Sequence, residues 1–542
     1  MEKHHLLELG VGIGIALLVG IGTFLHQQAT KVDTTANALR VAASGRVETL
    51  DSTTYSSLTA SSTISSTVVG LYARDAKGNI VSAISDGKPD VSADMLTYVF
   101  YLRPYHWSNG AQVTVQDFVY AWEKLADPKT NARNASRIDF LKNGVAVRTG
   151  KKPVSSLGVR AISKHRLEVD LQQANPYLTE ILADTPLLPI NQNFAQKWGK
   201  DYGSNATRAL ANGPYRITNW SGTADTTWRY VKNPTYYHAK RIQVKSIDFI
   251  SQADTTKAAK QFAAGKFDYA GLSPQQVPSF KGSRQLKTQR TTTEALLFFN
   301  TTTGPTTNTA LRKAIAQAFD KHSFTQAHLR DGAQPLNGLV PAGLTMMTNG
   351  HEYRAATGEL LPYNLSKATA EWNRAKKQMG INHLNLTLTI ANNDTANLTA
   401  TYLAGQLEHN LPGLNITIKK VSLQQRVALE TAGKFELVFS TWSPADSDPM
   451  NLLAFYQTGS RLNITGFSDE KFDQMAKKIE KAGTHPAKRL ALAQQAERYL
   501  MTEQVPATGV FQDGSAYLLD DGIKQFPMMP SGAINYEYVR TH

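Results

Sequence analysis

The chain has 542 residues, 41% hydrophobic and 19% charged, which is too long for one hydrophobic core and apolar enough to build two or three. Its 58 basic residues exceed 44 acidic ones, giving a formal charge of +14. The basic residues are scattered, Lys257 and Lys260 among alanines and Lys477-Lys478 close to Glu480, so no nucleic-acid reading surface emerges and attraction to anionic polymers or lipid headgroups is the simpler consequence. Cysteine is absent, which excludes disulfides, thiolate catalysis and cysteine-ligated zinc.

Residues 9–25 form an uncharged apolar run of 17. As a helix it would span about 25 Å, slightly short of a bilayer core of about 30 Å. A cleaved secretory signal and an uncleaved signal anchor are both compatible with it, and the poor cleavage context favours the anchor; the small-x-small triplet Ala36-Asn37-Ala38 lies far downstream. Either way the bulk of the chain leaves the cytoplasm. Residues 29–38 read as a polar linker, 39–43 as a first strand, and 52–67 as a Ser/Thr-rich segment that composition alone would make a solvated loop.

Leu96, Tyr98, Phe100 and Leu102 alternate as in a strand burying one face. Trp107-Ser108-Asn109-Gly110 then supplies a turn, Thr114 and Asp117 a capping box, and Phe118, Ala121, Trp122 and Leu125 a helical stripe that Asp127-Pro128 stops. Leu167, Val169 and Leu171 alternate again, and strands follow at Tyr215-Arg216-Ile217 and Ile247-Asp248-Phe249-Ile250. A helix over 255–264 ends at Gly265, and Leu311, Ile315, Ala318 and Phe319 mark another. Ser366 is the predicted cap of a helix running through Trp372 to Gly380. Strict alternation from Leu384 to Ile390, a helix bearing Leu398, Tyr402 and Leu407, and a strand with Leu414, Ile416 and Ile418 predict a βαβ unit, hence an α/β sheet with a cleft near its strand ends. A strand over 435–441 precedes two late amphipathic helices carrying Phe472, Met475 and Ile479, then Leu490, Ala493 and Leu500.

No G-x-S-x-G, H-E-x-x-H, Walker A loop or dinucleotide fingerprint is present, so the common catalytic and phosphate-cradling arrangements lack a starting point. His4-His5 and His106 lie apart, and His351, His383 and His409 lack helical i, i+4 partners, so no metal site is expected. The enzyme-like feature is the pair Asp446 and Asp448 in the loop 442–449, which suits either a glycosidase acid and base or turn formers and helix caps.

The segment from Asp94 to Thr130 resembles the family 5 extracytoplasmic solute-binding proteins, the peptide-binding subunits of bacterial ABC importers. That family carries a LTYxFxLR strand, a WSNG turn and T-x-x-DFVYxWxxLxDPxT, and nearly all these letters stand here in order. Leu50-Asp51, Asn212-Gly213-Pro214-Tyr215, Lys232-Asn233-Pro234-Thr235-Tyr236-Tyr237 and Leu311-Arg312-Lys313-Ala314-Ile315 extend the resemblance over about residues 39–542.

The resemblance implies an α/β fold of the two-lobed periplasmic-binding-protein-like kind (type II, cluster C) with an accessory domain. Residues 39–68, 193–300 and 510–542 would form lobe I, 69–192 the accessory domain and 301–509 lobe II, after a membrane anchor or signal and linker at 1–38. It implies a monomeric receptor on the outer face of the membrane that holds a peptide and delivers it to ABC permease subunits, with no cofactor, no metal, no catalytic residue and no nucleic-acid partner. Lipid-tethered relatives use an N-terminal cysteine that this chain lacks, which leaves attachment to the segment 1–38.

By the same resemblance, Ser56, Ser57 and Leu58 line the ligand cleft in extended form, and Thr441, Trp442 and Ser443 pair with the peptide backbone. The family places an aspartate opposite the peptide's amino group; here that position holds Ala445 and the acid stands one place later, at Asp446. Either Pro444 reshapes the loop so that Asp446 takes over, or the ligand is not gripped by a free amino terminus. Asp448-Pro449 would start a helix. Two alternatives stay open: a surface receptor for a signalling peptide with the same fold, and an extracellular hydrolase using Asp446 and Asp448.

Overall fold

The computed structural model describes residues 38–444 and 446–541; the apolar run 9–25, Ala36, Asn37 and Ala445 lie outside them. Among the described residues no helix is long and apolar enough to cross a membrane.

The strand-turn-helix segment forms as its sequence predicts. Tyr98, Phe100 and Leu102 are buried around the strand Thr97–Tyr101, which lies in a four-stranded antiparallel sheet with Asp90–Val91, Arg166–Asp170 and Val159–Ser163. Gly110, at a φ of +85°, closes the turn by donating its N–H to the Trp107 carbonyl at 2.9 Å. Asp117 explains the fixed spacing of the motif. Its Oδ2 accepts from the Thr114 N–H and from the buried Trp107 indole, both at 3.0 Å, and its Oδ1 accepts from the Gln192 N–H at 3.3 Å. One carboxylate thus caps the helix Val115–Ala126 and ties it to the turn before it and to residue 192.

The largest sheet has eleven strands, ten of them in one path. Numbered along the chain, they are β1 (Ala38–Ala43), β2 (Tyr215–Thr218), β3 (Thr227–Lys232), β4 (Ser246–Ser251), β5 (Tyr269–Leu272), β6 (Leu286–Phe299), β7 (Leu384–Ala391), β8 (Leu414–Val421), β9 (Leu437–Trp442) and β10 (Ala507–Leu519). Their order is β8-β7-β9-β6-β10-β5-β1-β4-β3-β2, with Gln334–Pro335 pairing β10 from outside that path. The predicted βαβ unit is β7, the helix Asp394–Asn410 and β8, paired in parallel from Leu384↔Leu414 to Ala391↔Val421. β9 starts two residues later than the sequence suggests.

The helix Leu365–Met379 is capped by Asn364, whose side chain accepts from the Lys367 N–H, and not by Ser366, which lies inside its first turn. Asparagine is as good a cap as serine and stands where the extended backbone begins. Gly380, at a φ of +68°, ends the helix where expected.

Two large cores lie along this sheet. One draws on residues from Leu39 to Phe249 with Tyr536 and Val539, the other on residues from Ala295 to Phe511. The four-stranded sheet contributes Tyr98, Phe100, Leu167 and Val169 to the first core, in continuity with Val41 of β1 and Trp228 of β3. The main chain passes between the cores twice, in β6 and β10. Leu286 to Arg290 pair with Leu518 to Gly514 and Glu294 to Phe298 with Gln512 to Ala507, and the register shifts between these two ladders. The fold is therefore two-lobed α/β, and an interruption of the β6–β10 ladder at residues 291–293 and 513, the crease, falls between the two cores.

Candidate functional site at the seam between the lobes

On the side of the second core, β9 is paired along its length with β6, from Phe299↔Leu437 to Glu294↔Trp442. Its other edge meets β7 only at Leu437 and Val438. Beyond Val438 no strand among the described residues covers that edge. Thr441, Trp442 and Ser443 are exposed there. The Trp442 ring, 39% accessible, stands edge-on to Phe455 with 4.8 Å between centroids. The Ser443 and Thr293 hydroxyls hydrogen-bond at 2.7 Å, which fastens the end of β9 to β6.

On the other side, the Glu48 carboxylate accepts the N–H groups of Ser56 and Ser57, the latter at 2.8 Å. Burial raises the Glu48 carboxyl, but these amides outweigh it and leave it below its usual range. The Ser57 hydroxyl accepts from the Ala60 N–H at 3.1 Å and caps a helix, Leu58–Thr67. The extended form expected after Leu50-Asp51 thus ends at Ser57, and Leu58, 56% accessible, opens the helix. Within this Ser/Thr-rich helix Thr63, Ser66 and Thr67 donate their hydroxyls to carbonyls one turn back, which lets them be buried without a polar debt.

The two segments approach each other through residues that no sequence pattern singled out. The Tyr55 carbonyl accepts from the Asn134 amide at 3.3 Å, and Ser61 donates to Thr185 at 3.1 Å. Between them lies Arg137, ion-paired with Asp184 and near both the Tyr55 hydroxyl and the Asp446 carboxylate. Burial lowers its guanidinium from the usual value. Asp446 is itself buried, its Oδ1 accepting the Asp448 N–H at 3.0 Å and the Asn451 amide. Burial pushes its carboxyl up to about 6, and the hydrogen bond from Asp448 and the charge of Arg137 pull it back.

Next to it, Ser447 donates its N–H and its hydroxyl to Glu180, at 3.0 and 2.6 Å, and Thr345 donates to the Ser447 carbonyl at 2.6 Å. Asp448 serves structure: Oδ1 accepts the Met450 N–H at 3.0 Å at the start of the helix Met450–Leu453, and Oδ2 is bound by Arg489 at 2.5 Å. Arg137 and Glu180 carried no periodic or motif signal, because their partners lie far along the chain, Asp184 at 47 residues from Arg137 and Ser447 at 267 from Glu180.

Counted by charge, Asp184 and Asp446 stand near Arg137, Asp448 is neutralised by Arg489, and Glu180 is held by Ser447 with no cation bonded to it among the described residues, so four acids meet two arginines. The seam is therefore acidic and suits a cationic group, and the open edge of β9 offers main-chain donors and acceptors beside it. A sheet creased between two cores, with such a seam between its lobes, defines a two-lobed binding protein of the type II α/β kind.

The chain belongs to the bacterial extracellular solute-binding proteins, family 5, whose middle-region model matches residues 79–463. It is 28% identical over 425 residues to the dipeptide-binding protein of Lactococcus lactis subsp. cremoris (strain MG1363), covering 75% of this chain and 76% of that protein. Its fold is similar to Listeria monocytogenes OppA bound to peptide, with a TM-score of 0.77 and 29% identity over 93% of this chain and 99% of the other. It is also similar to the pheromone receptor PrgZ, with a TM-score of 0.78 and 28% identity over 94% of this chain and 100% of that one.

Proposed function

We propose that the protein captures oligopeptides between its lobes on the outer side of the cell membrane and presents them to ABC permease subunits, without performing a reaction. The observation that carries this reading is the unpaired edge of β9 beside the exposed Trp442. An extended peptide adds to such an edge through N–H and C=O groups that nearly every sequence supplies, so affinity comes from main chain and selectivity is left to side-chain pockets. Thr441, Trp442 and Ser443 are the proposed contacts on one lobe, with Ser56, Ser57 and Leu58 on the other. Asp446, in an acidic seam, is the proposed partner of the peptide's amino group. The names of the relatives, a dipeptide-binding protein and an OppA bound to peptide, agree with this chemistry.

The lobes are taken as 39–68, 193–300 and 510–542 against 301–509, with 69–192 packed on the first, and closure as a hinge motion at the crease. Residues 1–38 supply attachment to the membrane, and the receptor acts as a monomer. The hydrolase reading would need both Asp446 and Asp448 free, whereas Asp448 is committed to Arg489 and the Met450 amide.

Native mass spectrometry of the purified protein tests this function. Mass increments of a few hundred daltons that fragment as peptides are expected, and titration of denatured, refolded protein with short peptides should give saturable binding without turnover. Absence of binding to any peptide would refute it. The similarity to a pheromone receptor favours one second reading, a sensor for a signalling peptide. Peptide-dependent growth after gene deletion separates the two, since an unchanged uptake rate removes the transport role.

A further inference from the structure

We propose that the first lobe carries a preformed aromatic subsite that accepts one aromatic side chain of the bound peptide. This inference rests on the peptide-binding reading and adds a side-chain preference to it. A cavity of about 150 Å³ lies at the carboxyl ends of the parallel strands β1 and β5 and reaches Leu58, the exposed residue that opens the helix at the seam. In open α/β sheets this is the end where ligands bind.

Five rings, Trp228, Tyr230, Phe249, Tyr269 and Tyr536, are among the residues that line it. Four of them brace one another, and Tyr269 packs on Tyr517 and Phe526. Trp228 and Phe249 stack at 5.2 Å with their planes 4° apart, Tyr230 packs on Phe249 at 4.4 Å, and Tyr536 stands edge-on to Phe249 at 5.5 Å. The Tyr230 hydroxyl is fixed by Thr63 of the same helix that begins at Leu58, at 2.9 Å. Such a wall cannot collapse into the space it encloses, and its quadrupoles favour an edge-to-face partner ring. An apolar cavity of roughly this size holds a benzene molecule in another protein, so a phenyl side chain fits.

Gly271 is the independent observation. It lies in the middle of β5, two residues from Tyr269 and therefore on the same face, and it lines the cavity. Its φ is not positive, so the backbone does not require glycine. A Cβ built there meets no atom within 4 Å. Glycine in a strand weakens it and marks close approach of a ligand or another backbone. Here no backbone approaches, and the missing side chain keeps the cavity open. Ala533, another small residue, lines the cavity from the C-terminal tail.

The test is a phenylalanine scan of an alanine pentapeptide, read by calorimetry on the full-length protein and on Gly271→Leu and Ala533→Leu, which add bulk to the cavity from two separate segments. In the unaltered protein, phenylalanine at one position should bind about 10- to 100-fold more tightly than alanine, the range that burial of one ring carries. Either substitution should remove that gain while the all-alanine peptide keeps its affinity within about twofold, which also shows that the variant is folded. A flat scan with the alanine peptide still bound, or a phenylalanine gain that survives in a variant that binds the alanine peptide normally, overturns the subsite and leaves peptide binding standing. Failure of the unaltered protein to bind any peptide overturns both.

Discussion

Glu180 and Ser447 meet across the seam, the carboxylate accepting the serine N–H at 3.0 Å and its hydroxyl at 2.6 Å. They belong to different cores and to segments 267 residues apart, so the contact reports directly on how the lobes are held. Glu180→Ala should weaken closure by about 1–3 kcal/mol, the cost of a lost charged acceptor. Peptide affinity should then fall about 5- to 100-fold and small-angle scattering should show a larger radius of gyration. Unchanged values of both would mean that the latch contributes nothing.

The acidic seam predicts a pH dependence. Asp446 faces Arg137 and Asp448, with Tyr177, Glu180 and Asp184 nearby, and its carboxyl is pushed up to about 6 by burial. Below that value it is protonated and offers no charge to an ammonium group. Affinity for a peptide with a free amino terminus should therefore drop by about tenfold per pH unit as pH falls below about 6, while an N-acetylated peptide stays flat. Asp446→Asn should abolish the dependence. Identical profiles for the two peptides would remove Asp446 from the amine site.

Main-chain recognition predicts which peptide changes matter. Methylation of single amide nitrogens in the ligand should cost about 0.5–1.5 kcal/mol at each position paired with β9 and nothing at the positions between, as expected for lost hydrogen bonds along one edge. A uniform response along the peptide, followed by calorimetry, would exclude strand addition.

Glu294 sits beside the crease, fully buried, opposite Trp442 on one side and Gln512 on the other, and its two oxygens accept no hydrogen bond from the described residues. Burial holds its carboxyl well above the usual range, Glu497 raises it further and Arg354 pulls it back. A carboxyl raised in the folded state stabilises the fold below its unfolded value, and that stability is lost as pH rises through the folded value. Glu294→Gln should therefore melt with the unaltered protein at pH 5 and higher than it at pH 9, by about 1–3 kcal/mol. Parallel melting curves at both pH values would show that Glu294 ionises without cost.

The strand, turn and helix around Asp117 and the βαβ unit were legible because each repeats a local rule within a few residues. The helix Leu58–Thr67 was not, since serine and threonine read as loop formers and only the fold shows their hydroxyls back-bonded within a helix. Thr441 and Trp442 were reached by resemblance and not by pattern, whereas Asp446 stood out as one of a carboxylate pair and took its amine role only from the resemblance. Arg137 and Glu180 were invisible to both, because a lone charge in a polar stretch acquires meaning only when the fold brings Asp446 and Ser447 against it. The double crossing in β6 and β10 was equally hidden, since neither strand was marked in the sequence and their pairing continues across the register shift only in the folded sheet.

That double crossing also decides how the molecule can be mounted. β1 and the closing Tyr536 and Val539 share one core, so both described ends of the polypeptide leave from the same half. A tether at either end would hold that half as a stationary base and leave the other as a free jaw. With the proposed hinge closure, that jaw would swing without stretching or compressing the tether, and the grip on a guest would then be independent of how tightly the base is fixed to a surface.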